Sequence, residues 1–228
     1  MLIGGFQKMT MLDFPGRVAC TVFTYGCNLR CPFCHNATLV TQKTQLFDEE
    51  EIFSYLKKRS GILDGVCVTG GEPLLQKDIF EFISKVREMG FLVKLDTNGC
   101  FPERLEYALD NKLVDYVAMD IKNSKEKYAM TVGIDGFDIT PIEKSVELIK
   151  NSTVEYEFRT TVVKELHTME DMKSIGKWLF GAKKYCLQNF EDTGNLIGQG
   201  MSAHEPSVLK AFEDALTDCF AETCVRGI

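Results

Sequence analysis

The chain has little that would tie it to a membrane or to a polyanion. None of its 228 residues falls in an apolar run approaching the roughly 18 needed to span a bilayer, so no membrane partner is expected. Met1 to Lys8 has no basic start followed by an apolar stretch, so no secretory signal is expected either. Lys and Arg total 26 against 33 Asp and Glu, for a net charge of −7. The longest basic run is Lys57-Lys58-Arg59, which reads as the end of a solvated helix. Proteins that grip nucleic acid present a basic patch, so no nucleic-acid partner is expected. Internal repeats, low-complexity tracts and Pro/Gly-rich linkers are also missing.

What remains is an ordinary globular composition, 45% apolar and 26% charged. A chain of this length can bury a sizeable core. Cysteine is not scarce: there are nine. An odd count without a secretory signal argues against an extracellular disulfide framework. Reduced thiols in a cytoplasmic protein are the expectation.

Six β-like runs are legible from their β-branched and aromatic content. They are Val18 to Tyr25, Gly65 to Thr69, Phe91 to Leu95, Leu113 to Met119, Val154 to Val163 and Lys184 to Gln188. Helical signals fall between them. Asp48 with Glu51 forms a capping-box pattern. Ile79, Phe80, Ile83 and Val86 recur at helical spacing, with Gly90 as a stop. Thr140-Pro141 and Glu143 mark another start. Thr168 to Leu179 and Ser207 to Phe220 complete the set. An alternating strand–helix order implies parallel strands joined by right-handed crossovers.

Three cysteines crowd into the loop after the first strand, Gly26-Cys27-Asn28-Leu29-Arg30-Cys31-Pro32-Phe33-Cys34-His35-Asn36. Spacings of three and two residues let one loop fold its thiolates around a single inorganic centre. Soft thiolates select zinc, copper(I) or iron–sulfur clusters. One alternative is a zinc site completed by His35, although adjacent residues rarely reach one tetrahedral ion together. The other is a four-iron cluster on three thiolates, with one iron open to another ligand.

Further polar groups follow the other strands. Gly70-Gly71-Glu72-Pro73 follows the second, where glycines without Cβ let a ligand approach and Glu72 offers an acceptor for an ammonium group. Asp96-Thr97-Asn98-Gly99 ends the third. Asp120-Ile121-Lys122 ends the fourth, with its Asp and Lys on one side of an extended chain. Arg159 lies inside the fifth and needs a partner or a polar lumen. Gln188-Asn189-Phe190 ends the sixth. That end of a parallel sheet carries the site in barrels and open α/β folds. His167 and His204 read as surface or loop residues, and Trp178 and the methionines as core.

Cys-x3-Cys-x2-Cys after a first strand, with Phe33 before the third cysteine, resembles the radical S-adenosylmethionine (SAM) enzymes. The later motifs extend the likeness over nearly the whole chain. It implies an α/β fold, an incomplete (βα)6 barrel of parallel strands, as one domain over residues 1–228. It implies that Cys27, Cys31 and Cys34 hold a [4Fe–4S] cluster whose open iron binds SAM. Gly70, Gly71 and Glu72 would hold the SAM amino group. Asp96, Thr97, Asn98 and Asp120 would shape the SAM site, with a monovalent cation as a possible addition. The Ile121-Lys122 segment would contact SAM, and Arg159 would approach its carboxylate or ribose. Phe33, His35 and Gln188 complete the expected cofactor-binding set. Formate-lyase activators carry a histidine near the position of Phe190, and this chain has none there.

The Asp-Thr and Asp-x-Lys motifs resemble those of glycyl-radical-enzyme activators. Gly4-Gly5-Phe6-Gln7-Lys8, Asp13 to Arg17 and Val225-Arg226-Gly227 are similar to anaerobic ribonucleoside-triphosphate reductase activating proteins. The implied reaction is reductive SAM cleavage, fed by a reduced donor such as flavodoxin or ferredoxin. It gives methionine and a 5′-deoxyadenosyl radical that takes hydrogen from a glycine of the partner enzyme. Three alternatives stay open. One is a pyruvate formate-lyase-like partner, and another is a small-molecule substrate, as in deazapurine synthases. The third is a non-catalytic metal-binding module.

Overall fold

A computed structural model of the chain describes residues 1–42 and 45–228. One eight-stranded sheet organises it, with strands in chain order from edge to edge. The first two are β1 (Ile3–Thr10) and β2 (Ala19–Thr24), which pair antiparallel. After them come β3 (Gly65–Gly70), β4 (Leu92–Thr97) and β5 (Tyr116–Asp120). The sheet ends with β6 (Glu155–Val162), β7 (Lys184–Asn189) and β8 (Glu222–Arg226). Every neighbouring pair from β2 to β8 is parallel.

The six expected strands are β2 to β7, and their parallel order is as expected. Two strands were not foreseen. Ile3–Thr10 contains two glycines and a polar second half, so it carries no apolar run. Glu222–Arg226 is five residues long and starts and ends charged. Both owe their extended form to the neighbouring strand that supplies hydrogen bonds rather than to propensity.

The helices are α1 (Ala37–Thr41), α2 (Glu49–Lys58), α3 (Ile79–Glu88) and α4 (Pro102–Asp110). They continue with α5 (Tyr128–Val132), α6 (Thr140–Asn151), α7 (Met169–Trp178) and α8 (Pro206–Leu216). Thr168 caps α7 in a reciprocal box with Asp171, which ties the start of that helix to one rotation. Asp48 caps α2 through the Glu50 amide instead of the expected Glu51 box. On α3 the buried stripe is Ile79, Phe82, Ile83 and Val86. Phe80 is displaced from it and packs on Tyr107 of α4, ring centres 4.8 Å apart. α4 was not anticipated, because its apolar stripe is only Leu105 and Ala108 behind Pro102. Among the described residues no helix is long and apolar enough to cross a membrane.

Alternation along the strands divides their side chains between two faces. On β6, Phe158, Thr160 and Val162 are buried on one face, and Glu157, Arg159 and Thr161 stand on the other. That second face carries the polar groups of the neighbouring strands as well, among them Lys94, Asp96 and Asp120. The sheet thus has an apolar side under the helices and a polar side that leads to the site.

Candidate functional site

The loop after β2 is tied down by its backbone. Gly26 N–H donates to Leu39 O at 2.8 Å, Arg30 N–H to Val132 O at 3.0 Å and Cys34 N–H to Cys31 O at 3.1 Å. These bonds present Cys27, Cys31 and Cys34 to one cavity that is open to solvent. Leu29 N–H donates to Cys27 Sγ at 3.4 Å. Burial pushes the Cys31 thiol up to about 12 and raises Cys27 and Cys34 too, while the Lys122 ammonium acts against the rise in all three. Such thiols become thiolates only when a positive centre takes the proton's place. The donor set, three soft sulfurs around one cavity with amide and ammonium groups beside them, fits a cluster ligated at three corners.

Gly70 and Gly71 also line the cavity. Gly70 sits at φ +111°, which only glycine adopts readily. A Cβ on Gly71 would lie 1.9 Å from Gly26 O and 2.6 Å from Gly26 C. The close approach Gly71 allows is therefore to the cysteine loop itself, and the one Gly70 allows is to Thr24 of β2, roles that spacing did not reveal. Gly71→Ala is expected to push Cys27 off its position. Iron retained after reconstitution should fall several-fold, and stability should drop by about 1–3 kcal/mol, read from the denaturation midpoint. Iron content and midpoint both equal to wild type would show that the clearance is immaterial.

Glu72 does not line the cavity. It is fully buried, and its carboxylate accepts from Leu74 N–H, Thr97 Oγ1 and Asn98 N–H at 3.0, 2.8 and 2.7 Å. Burial pushes its carboxyl up to about 7 against these three donors. All three donors come from the protein, and Glu72 locks the turn after β3 to the end of β4. Ile121 is also absent from the cavity wall. Its side chain is core, and its backbone bonds to Arg159 O and Thr160 Oγ1.

Asp96, Thr97 and Asn98 at the end of β4 line the cavity, with Asp120 and Lys122 at the end of β5. Asn98 bridges to the cysteine loop, donating to Asn28 Oδ1 at 2.9 Å. Arg159 stands between the two aspartates. Its Nη1 is 3.1 Å from Asp96 Oδ2, and its Nη2 is 2.9 Å from Asp120 Oδ1. Asp96 also pairs with the buried Lys94, and Asp120 with Lys122 at 2.9 Å. Burial works against ionisation of both carboxyls. At Asp96 the Arg159 and Lys94 charges prevail, and at Asp120 those of Lys122 and Arg159, so both stay below the usual carboxylate range. Three cations thus face two anions. Both carboxylates are bridged by the one guanidinium.

Phe33, His35 and Gln188 complete the part of the wall that motifs had singled out. The His35 ring packs on Phe190, ring centres 5.6 Å apart. Leu29, Asn36, Val40, Thr69 and Thr161 line the cavity without having been foreseen. Thr69 and Thr161 were findable, since each lies two residues along a strand from a position already marked (Gly71 and Arg159). Asn36 carries no sequence signal; it donates to Gly70 O at 2.8 Å and so joins the cysteine loop to β3.

Two readings of single residues are overturned. His167 is buried, not on the surface, because two strand-end loops close over it. Cys186 and Cys224 form a disulfide and are not free thiols. Parallel pairing of β7 with β8 sets them opposite each other, their Cα atoms 4.6 Å apart.

Comparison with known proteins agrees with this geometry. Residues 21–179 match the model of the Radical SAM superfamily. A Methanocaldococcus jannaschii protein named as a glycyl-radical enzyme activating enzyme, MJ1227, is 38% identical over 194 residues, 83% of this chain and 80% of its own. The pyruvate formate-lyase-activating enzyme of Listeria monocytogenes is 38% identical over 130 residues, 51% of each chain. The crystal structure of a domain of pyruvate-formate lyase-activating enzyme from Bacteroides vulgatus superposes with a TM-score of 0.59. It shares 16% identity and covers 72% of this chain and 99% of that one. With the family match running from β2 through α7, the chain belongs to the radical SAM superfamily.

Proposed function

We infer that the chain is a radical SAM activating enzyme for a glycyl-radical enzyme, and we propose an anaerobic ribonucleoside-triphosphate reductase as its partner. The observation that carries the reading is convergence on one cavity: three cysteine thiols from one loop and charged groups from the ends of β4 and β5 and from within β6. The superfamily's cofactors are a [4Fe–4S] cluster and SAM, and Cys27, Cys31 and Cys34 would hold the cluster. When bound, the cofactors supply one-electron cleavage of the SAM sulfur–carbon bond and removal of a hydrogen atom from a glycine of the partner. The electron would come from a reduced flavodoxin or ferredoxin.

The chain's own part is to bind, orient and shield. Lys122 and Arg159 line the cavity opposite Asp96 and Asp120. Their ammonium and guanidinium groups are donors suited to a ligand that carries a carboxylate, as SAM does. Thr69, Gly70, Gly71 and Thr161 give the wall small side chains beside the cysteine loop, room for a nucleoside-sized group. Phe33, Leu29 and Val40 add an apolar side that limits water near the thiols.

The partner assignment is supported by Gly4 to Arg17 and Val225-Arg226-Gly227, which resemble the reductase-activating proteins. The first of these segments holds β1 and its link to β2; the second ends β8. A formate-lyase-like partner is the second reading, favoured by the likeness to the Listeria enzyme. Anaerobically reconstituted protein, SAM, reduced flavodoxin and each candidate partner are mixed and followed by EPR. A glycyl radical on the reductase is the expected result. A radical only on the formate lyase transfers the assignment to that partner. Methionine and deoxyadenosine formed with no partner radical would favour a small-molecule substrate.

A further inference from the structure

His167 is only 1% exposed and does not itself line the cavity. It follows β6, and its ring reaches the loop that follows β5. Val163 N–H donates to His167 Nδ1 at 3.0 Å. A backbone N–H can only donate, so Nδ1 is the acceptor and the ring proton sits on Nε2. Nε2 then donates to Lys122 O at 2.8 Å. The ring also meets Phe33 of the cysteine loop edge-on, centres 6.5 Å apart and planes at 77°. One neutral imidazole therefore touches the residue that carries the cavity's ammonium and the residue between the second and third cysteines.

The neighbouring bonds show what His167 adds. Ile121, just before Lys122, is held by Arg159 O and Thr160 Oγ1. Asn123, just after it, is held by Leu166 O at 3.0 Å and by Thr131 Oγ1. His167 supplies the hold on Lys122 itself, whose Nζ reaches Asp120 Oδ2 at 2.9 Å inside the cavity. A hydrogen bond to the backbone of a cavity residue acts on ligand geometry without touching the ligand, as outer partners of ligating residues do.

We propose that His167 is a positioning residue: its Nε2 donor sets Lys122 at a fixed distance from the cysteine loop and so sets the affinity for SAM. This rests on the SAM-cleaving reading above. Two amide substitutions separate the two ring nitrogens. Asn places a polar atom near Nδ1 and keeps the local bond to Val163. Gln places its amide near Nε2 and keeps the bond across to Lys122 O. A merely structural role at the end of β6 would be rescued by Asn at least as well as by Gln.

The test uses reconstituted full-length protein. Iron content, the denaturation midpoint and the SAM dissociation constant from EPR titration are read for wild type, H167N and H167Q. H167N is expected to bind SAM about 10-fold more weakly, with unchanged iron, and H167Q to stay within about 3-fold of wild type. Hydrogen exchange of the peptide spanning residues 120–127 should be faster in H167N than in H167Q. Equal SAM affinity in the two variants overturns the positioning role and leaves the functional reading intact. If H167N does not fold, His167→Phe keeps the ring volume and loses both bonds, and wild-type affinity there overturns the proposal. Wild-type protein that holds iron but binds no SAM overturns the functional reading and this inference together.

Discussion

Cys31→Ala is expected to abolish SAM cleavage while leaving the protein folded. Cys31 is 6% exposed and packs as a small apolar residue within the loop after β2. Alanine fills most of that volume, so the expected loss of stability is only about 1 kcal/mol. The loss of function is of another order. Two thiols cannot replace three at a cluster that already lacks a fourth protein ligand, and no other described cysteine lines the cavity. Iron and sulfide retained after anaerobic reconstitution should fall to near zero, and methionine formation below detection. Cys20→Ala is the control: Cys20 is buried in β2 away from the cavity wall, and its loss should leave iron content unchanged. Purified Cys31→Ala protein that cleaves SAM at the native rate would overturn the assignment of the thiols.

Arg159→Leu carries the largest expected change in stability. The guanidinium separates two partly buried carboxylates, and leucine brings them face to face with only Lys94 and Lys122 to balance them. Removing one member of a fully buried ion network costs about 3–5 kcal/mol, and the partial exposure of Asp120 with the two lysines that remain places the expectation near the lower end, about 3. The acid side of the stability profile should change as well. Asp96 and Asp120 hold folded-state values below their ordinary 3.8. Their contribution is thus fully present above about pH 4 and is lost as pH falls through the folded values. Without Arg159 the folded values rise toward the ordinary one, so the loss on acidification is smaller and is complete at a higher pH. Urea denaturation of wild type and variant, followed from neutral pH down to about pH 3, reads both effects. A variant within 0.5 kcal/mol of wild type at neutral pH, with the same acid limb, would show that Arg159 does not hold the two aspartates.

Much of this protein was legible before any coordinates. The class of fold follows from local patterns, because strands β2 to β7 are short apolar runs and α3, α6, α7 and α8 carry helical spacing or start signals. The site was legible for the same reason. Cys27, Cys31 and Cys34 are close in sequence, so chain geometry alone brings them to one centre. Asp96, Asp120 and Gln188 each end a strand, and parallel order carries strand ends to one side.

The tertiary structure decided what depends on partners distant in sequence. Glu72 is chemically the same carboxylate in a turn or in a ligand site, and only the donors at Leu74, Thr97 and Asn98 make it a structural hub. Gly71 was marked for a ligand's approach, yet the backbone it admits is that of Gly26, 45 residues earlier. β1 and β8 lack an apolar signature and exist because β2 and β7 offer them unpaired backbone groups. With β8 in place, Cys224 meets Cys186. His167 follows no pattern that separates it from a surface histidine; the loops after β5 and β6 enclose it. Sequence thus determined which chemistry this chain can carry, since residue type and short spacing are local properties. Which carboxylate faces the cavity, which is spent on the fold and which histidine is buried were settled by contacts between strand ends, where burial and hydrogen-bond supply are set by the whole sheet.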